Sequence, residues 1–225
     1  MNGLQYSPDA AVGIFGGTFD PVHYGHLRAA LEAREMLKLE DFRLLPAGTP
    51  PHRSNTIASG IHRLAMLRLA VAEHSGFRVD DREVRREGNS YMADTLREIR
   101  DETGDSPLML IIGQDAANAL DSWHEWRTIF DLAHLVIMRR PESRLAWSGE
   151  LQNQMERRLA RNPEQLRERA GGLILPLEVT QLAISSTGIR TQLLAGQSPR
   201  FLLPDAVIDY IEQNKLYFAA TVRKG

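Results

Sequence analysis

The sequence contains no cysteine, which excludes disulfides, thiolate catalysis and zinc–sulfur sites. That absence fits a protein of the cytosol. An excess of either charge is missing too: 27 Lys and Arg stand against 29 Asp and Glu, a net charge of −2. No global attraction to nucleic acid or acidic membranes is therefore expected, and any bound anion must be held by local geometry. No stretch approaches the roughly 18 consecutive apolar residues of a transmembrane helix. The opening MNGLQYSPDAAVGIFGG lacks the basic region and long apolar run of a signal peptide. Internal repeats and low-complexity tracts are absent as well. The expectation is a cytoplasmic protein with neither nucleic acid nor membrane as partner, its oligomeric state left open.

What is present suits a globular α/β protein. At 225 residues with 43% hydrophobic residues, a core can form without a metal or disulfide staple. Ala11 to Phe15 is a short apolar run ended by Gly16-Gly17 and reads as a buried strand. A helix follows over Tyr24–Leu37, then a strand over Phe42–Leu45 ended by a Pro- and Gly-rich loop. The next helix carries Ile61, Leu64, Leu67 and Val71 on one face, Phe77 to Val84 reads as an edge strand, and Leu96 and Ile99 mark a further helix. Leu108 to Ile112 and Leu135 to Met138 are unbroken apolar runs, as expected of strands buried on both faces of a parallel sheet. Residues 142–170 are polar and read as a solvated helical insertion. Leu173 to Leu175 is a last strand, and Ser186–Leu194 and Asp205–Asn214 are closing helices within a C-terminal helical part over about 186–217.

This alternation predicts one domain over 1–225, a doubly wound parallel sheet with helices on both faces. Ligands on such sheets bind beyond the carboxyl ends of the strands. The loops after Phe15, Leu45, Ile112 and Met138 are therefore expected to line one crevice.

The first of these loops, Gly16-Gly17-Thr18-Phe19-Asp20-Pro21-Val22-His23-Tyr24-Gly25-His26-Leu27, holds the main chemistry. Glycines let a phosphate approach the backbone, and the helix start adds N–H groups and a positive dipole end. His23 and His26, three apart, can point at the same ligand and donate to phosphoryl oxygens as negative charge builds. The plainer alternative is that both histidines only cap the helix. Zinc is weakened by the lack of a third ligand at a fitting spacing, and a dehydrogenase by the lack of G-x-G-x-x-G.

The whole string resembles the signature of the nucleotidylyltransferase superfamily, with its H-x-G-H element at His23-Tyr24-Gly25-His26. Downstream, Ile184-Ser185-Ser186-Thr187-Gly188-Ile189-Arg190 is by itself a helix N-terminus with a Ser or Thr cap and a fixed cation one turn in. It looks like the superfamily's I-S-S-T-x-x-R phosphate-binding element. Pro50-Pro51-His52-Arg53, Asn89-Ser90-Tyr91, Ile111 to Asp115, Ser122-Trp123-His124 and Arg139-Arg140-Pro141 resemble the bacterial nicotinate-mononucleotide adenylyltransferase family. The likeness runs in order from about Ala11 to Tyr217 and is loose over 142–170.

The resemblance implies transfer of the adenylyl group of ATP to nicotinic acid mononucleotide, giving nicotinic acid adenine dinucleotide and pyrophosphate in NAD biosynthesis. His23, His26 and Arg190 would be the catalytic set. Gly16, Gly17, Thr18, Phe19, Gly113, Asp115, Ile184, Ser185 and Thr187 would bind ATP, although Asp115 would serve equally as the N-cap of the next helix. His52, Arg53, Tyr91, Met92, Trp123 and His124 would bind the acceptor, with Trp123 stacked on the pyridine ring and N–H groups near Met92 and His124 on the nicotinate carboxylate. Core packing is the alternative for Trp123 and Trp126, and an exposed loop for His52 and Arg53. Arg139 and Arg140 end a strand on the ligand side and would be either ligand contacts or solvated. Magnesium would travel on the ATP phosphates, with no dedicated protein metal site.

Two departures bear on the acceptor. Met92 stands where the family often has threonine, which preserves a backbone contact and loses a hydroxyl. Pro46-Ala47-Gly48-Thr49 lacks the asparagines of some relatives. The competing readings are the same transfer to nicotinamide mononucleotide or phosphopantetheine, and a non-catalytic nucleotide-binding protein.

Overall fold

The computed structural model describes residues 11–48, 56–139, 147 and 149–218. The chain runs β1 (Val12–Gly17), α1 (Tyr24–Met36), β2 (Asp41–Pro46), α2 (Gly60–Ala70), β3 (Arg78–Val79), α3 (Arg82–Arg85), α4 (Met92–Thr103), β4 (Leu108–Gly113) and α5 (Gln114–Asn118). It continues through α6 (Trp126–Leu132), β5 (His134–Arg139), α7 (Gly149–Arg158), β6 (Ile174–Glu178), α8 (Ser186–Leu194) and α9 (Asp205–Gln213). Short 3-10 helices lie at Leu120–Ser122 and Pro163–Arg167. Among the described residues the strands form one sheet in the order β3-β2-β1-β4-β5-β6, every neighbouring pair parallel. The winding reverses direction between β1 and β4, which places the ligand crevice of a doubly wound sheet at their carboxyl ends.

The unbroken apolar runs have a direct physical cause. Along β4, Met109 and Ile111 enter one core cluster with α1, α2, α8 and α9. Leu108, Leu110 and Ile112 enter another with α4, α5 and α6. Successive side chains of a strand point to opposite faces, so a strand covered on both faces takes a polar residue only where that residue finds a buried partner. β5 divides in the same way, Val136 and Met138 against Leu135 and Ile137. The one arginine inside a core strand, Arg43 of β2, is 1% exposed. Its guanidinium meets Asp41 at 2.8 Å and Glu102 at 2.9 Å, the pairing that a buried charge requires.

Three local expectations change. The edge strand expected over Phe77–Val84 shrinks to Arg78–Val79, because the Asp80 carboxylate accepts the Arg82 N–H at 3.1 Å and the chain turns into α3. Ile61 is 73% exposed; α2 buries Arg63, Leu64, Met66, Leu67 and Ala70 instead. The segment expected as a solvated insertion holds α7 and the 3-10 helix Pro163–Arg167, yet it buries Trp147, Leu151, Ala160 and Leu166. Trp147 Nε1 donates to the Ala117 carbonyl at 2.9 Å, so this stretch covers the α5 side of the sheet.

Candidate active site

A cleft of about 910 Å³ opens at the carboxyl ends of β1, β4 and β5. The stretches after β1 and β4 contribute to it through Phe15 to Asp20 and Gly113 to Ala116, and β5 through Met138 near its end. Of the described residues in the loop after β2, Thr56, at its far end, lines the cleft. All twelve residues expected for catalysis and ATP binding line this cleft: Gly16, Gly17, Thr18, Phe19, His23, His26, Gly113, Asp115, Ile184, Ser185, Thr187 and Arg190.

His23 occupies the N-cap position of α1 but makes no side-chain capping bond, so capping does not account for it. Its ring stacks on that of His26, centroids 3.7 Å apart and 24° from parallel. Gly25 makes room for this: a Cβ there would lie 2.9 Å from His23 Nδ1. Phe19 closes the other side of His26, edge-on at 5.1 Å. Burial pushes the His23 pKa down to about 4. It holds His26 well below its usual value too, with a smaller contribution from His23. Both rings are therefore neutral at pH 7, each with one N–H donor, and a nearby phosphate would favour taking up a further proton.

The second signature starts α8. Ser185 is its N-cap, the hydroxyl accepting the Gly188 N–H at 3.1 Å. Ser186 Oγ donates to the Pro21 carbonyl at 2.9 Å. Arg190 Nη1 donates to the Asp20 carbonyl at 2.7 Å, and Nη2 to Thr187 Oγ1 at 3.1 Å. The two signatures are thus bonded to one another, with a cation and a helix N-terminus facing the imidazole pair across one cavity. Such a set of donors is suited to a polyphosphate. Asp115 is exposed on the rim; the N-cap of α5 is Gly113, and Asp115 lies in the first turn.

The described acceptor candidates stand apart from this cavity. Tyr91, Met92, Trp123 and His124 do not line it. Tyr91 and His124 pack with ring centroids 4.3 Å apart, and Met92 Cε comes within 3.2 Å of where a Cβ on Gly16 would be. They form a neighbouring group at the start of α4. Trp123 is half-buried against the α4 side of the core, whereas Trp126 is a core residue at 7% exposure. Arg139 pairs with Glu178 at 2.6 Å. His52, Arg53 and Arg140 lie outside the described residues.

Sequence reasoning missed the framework that joins the two groups. Arg63, 1% exposed, donates to the Thr18 carbonyl at 2.8 Å and the Gly48 carbonyl at 3.0 Å. Desolvation lowers its pKa, opposed chiefly by the charge of Asp20. Glu83, 4% exposed, accepts the Gly48 N–H at 3.2 Å and the Thr95 hydroxyl at 2.8 Å, while its carbonyl accepts from Ser90 Oγ at 3.3 Å. Burial raises the Glu83 pKa. An arginine among the apolar residues of α2 was the signal the sequence offered for this arrangement.

Comparisons with known proteins agree with the geometry. A profile of the cytidylyltransferase-like family matches residues 14–192. A Methylococcus capsulatus protein named "Probable nicotinate-nucleotide adenylyltransferase" is 52% identical over 92% of this chain and 99% of its own length. The chain belongs to the nicotinate-nucleotide adenylyltransferase family. An Acidithiobacillus ferrooxidans relative of the same name is 48% identical, covering 91% of this chain and 94% of that protein. Among solved structures, Plasmodium falciparum nicotinic acid mononucleotide adenylyltransferase complexed with NaAD shares the fold, with a TM-score of 0.69 at 16% identity over 92% of this chain and 97% of that one. For this nicotinate-nucleotide adenylyltransferase family member, no helix among the described residues is long and apolar enough to cross a membrane.

Proposed function

We propose that the cleft binds ATP with its α-phosphate beside His23 and His26 and its β- and γ-phosphates toward Thr187 and Arg190. The phosphate of nicotinic acid mononucleotide then attacks. One acceptor oxygen forms a bond to the α-phosphorus, the bond from that phosphorus to the bridging oxygen breaks, and pyrophosphate leaves with the electron pair. The products are nicotinic acid adenine dinucleotide and pyrophosphate. A phosphomonoester with a second pKa of about 6 is largely dianionic at pH 7, so the nucleophile needs no general base. What the protein supplies is alignment and stabilisation of charge developing on the transferred and leaving groups.

The observation that carries this reading is the bonded pair of signatures, with Arg190 donating to the Asp20 carbonyl inside the loop that bears both histidines. On the acceptor side, the half-buried Trp123 offers a flat indole face to a pyridine ring. The N-terminus of α4 at Met92 offers backbone N–H groups to a carboxylate. Nucleotidyltransferases generally use a divalent cation, and magnesium is the ion proposed here. The ion's ligands would be phosphate oxygens and waters. It would neutralise charge on the triphosphate.

The test is pyrophosphate release from ATP with nicotinic acid mononucleotide, nicotinamide mononucleotide and phosphopantetheine in turn, with product masses. Fastest release with the nicotinate acceptor is expected. Faster turnover of either other acceptor, or ATP binding without turnover of any, overturns the assignment.

A further inference from the structure

The Asp20 carboxylate has no part in the reaction as drawn, yet it is among the most heavily bonded groups in the fold. It is 3% exposed and accepts the Tyr217 hydroxyl at 2.6 Å, the Ile57 N–H at 2.9 Å and the Ala58 N–H at 3.2 Å. The backbone carbonyl of the same residue accepts Arg190 Nη1 at 2.7 Å. Asp20 thus joins the first loop, the stretch leading into α2, the start of α8 and the segment after α9. A carboxylate held by donors from two directions cannot rotate, so the carbonyl that receives Arg190 is held with it.

Tyr217 lies 197 residues away in sequence. It is 5% exposed, and its backbone sits at φ 63, a left-handed conformation that disfavours a side chain of this size. The contacts around it hold it there. Burial, and then the adjoining Asp20 carboxylate, keep its hydroxyl protonated and so a donor.

We infer that Tyr217 is a positioning residue for the nucleotide half of the site: its hydroxyl, through Asp20, sets where the Arg190 guanidinium stands against the triphosphate. The inference rests on the proposed function for what Arg190 faces. Without the hydroxyl, Asp20 Oδ1 keeps, among the described residues, only the longer bond, to Ala58. Displacements of about 1 Å at a reacting centre can cost 10²-fold, and losing one of three restraints is expected to cost roughly a tenth of that.

The decisive variant is Tyr217→Phe, which keeps the buried ring. Affinity for α,β-methylene-ATP, measured by calorimetry, is expected to fall roughly tenfold. In an Arg190→Ala background the same substitution is expected to add nothing, because the hydroxyl acts through Arg190. In the otherwise unaltered protein, the KM for the acceptor should stay within about twofold. Analogue affinity within twofold of the unaltered protein, whatever happens to Tm, makes Tyr217 a packing residue and overturns the inference. An equal loss in the Arg190→Ala background does the same. Should Tyr217→Phe fail to fold, Asp20→Asn takes its place: weakened analogue binding supports the inference and unchanged binding overturns it. Absence of turnover with every acceptor would refute the functional assignment alone, since analogue binding still reads the Tyr217 arm.

Discussion

Replacing Gly48 by alanine tests whether the loop after β2 is set by its close approach to the chain at Glu83. A Cβ on residue 48 would sit 2.1 Å from the Glu83 carbonyl oxygen, 2.4 Å from Ser90 Oγ and 2.8 Å from the Glu83 carbonyl carbon. Real Cβ contacts stay beyond 3.0 Å, so the two backbones must part by about 1 Å. The first and third of these atoms are backbone and cannot rotate away. Overpacking of this kind costs about 1–3 kcal/mol. If the loop moves, it also stretches the Gly48 N–H bond to Glu83 and the Arg63 bond to the Gly48 carbonyl, each worth about 1.5–3 kcal/mol when a charged partner is buried. Some relaxation is certain, and about 3 kcal/mol overall is the expected loss. At roughly 2–4 °C per kcal/mol for a protein of this size, Tm should fall by about 6–12 °C. The acceptor KM should rise severalfold, because the displaced backbone adjoins Ser90-Tyr91-Met92. Scanning calorimetry and acceptor-dependent pyrophosphate release measure the two effects. Gly60→Ala is the control: its Cβ would meet only a Val84 methyl at 3.2 Å and more distant atoms, and it should be nearly neutral. A Gly48→Ala protein as stable as this control, with an unaltered acceptor KM, would refute the reasoning.

Other outcomes follow from the same geometry. His23→Ala should lower turnover roughly 10²–10³-fold, the scale for one preorganised donor; near-normal turnover with both substrates saturating removes His23 from the chemistry. Trp123→Ala should raise the acceptor KM with little change in kcat, and an unchanged KM counts against ring stacking. His23, held near pKa 4 by burial, is expected to make stability depend on pH. The unfolded chain binds a proton below about 6.5 that the folded ring refuses, so this contribution is complete above pH 6.5 and is lost as pH falls toward 4. Tm measured from pH 7.5 to 4.5 should therefore drop less steeply in His23→Gln than in the unaltered protein; parallel curves would contradict the burial of a neutral imidazole.

The site was legible wherever its residues are neighbours in sequence. Gly16 to Leu27 and Ile184 to Arg190 each fold as a turn into a helix start, so spacing alone could orient their side chains. The apolar runs at Leu108–Ile112 and Leu135–Met138 showed β4 and β5, because a strand covered on both faces favours apolar residues at every position. Phe77–Val84 misled because its weak alternation carries no trace of the Asp80 carboxylate bonding the Arg82 N–H and turning the chain. Ile61 misled because it stands in the first turn of α2, whereas Leu64, Leu67 and Val71 of the same expected face are buried.

By itself, the order of residues determined the alternation of strands and helices and the two turns that start α1 and α8, since both depend on contacts a few residues apart. Only the tertiary structure decided that these turns are tied through the Asp20 and Pro21 carbonyls, and that the described acceptor candidates lie beside the cleft. It alone decided that Arg63, Glu83 and Tyr217 hold the parts together. Those bonds span from 7 to 197 residues. A buried polar side chain finds its partner by proximity in the folded core, and composition and periodicity carry no record of that proximity.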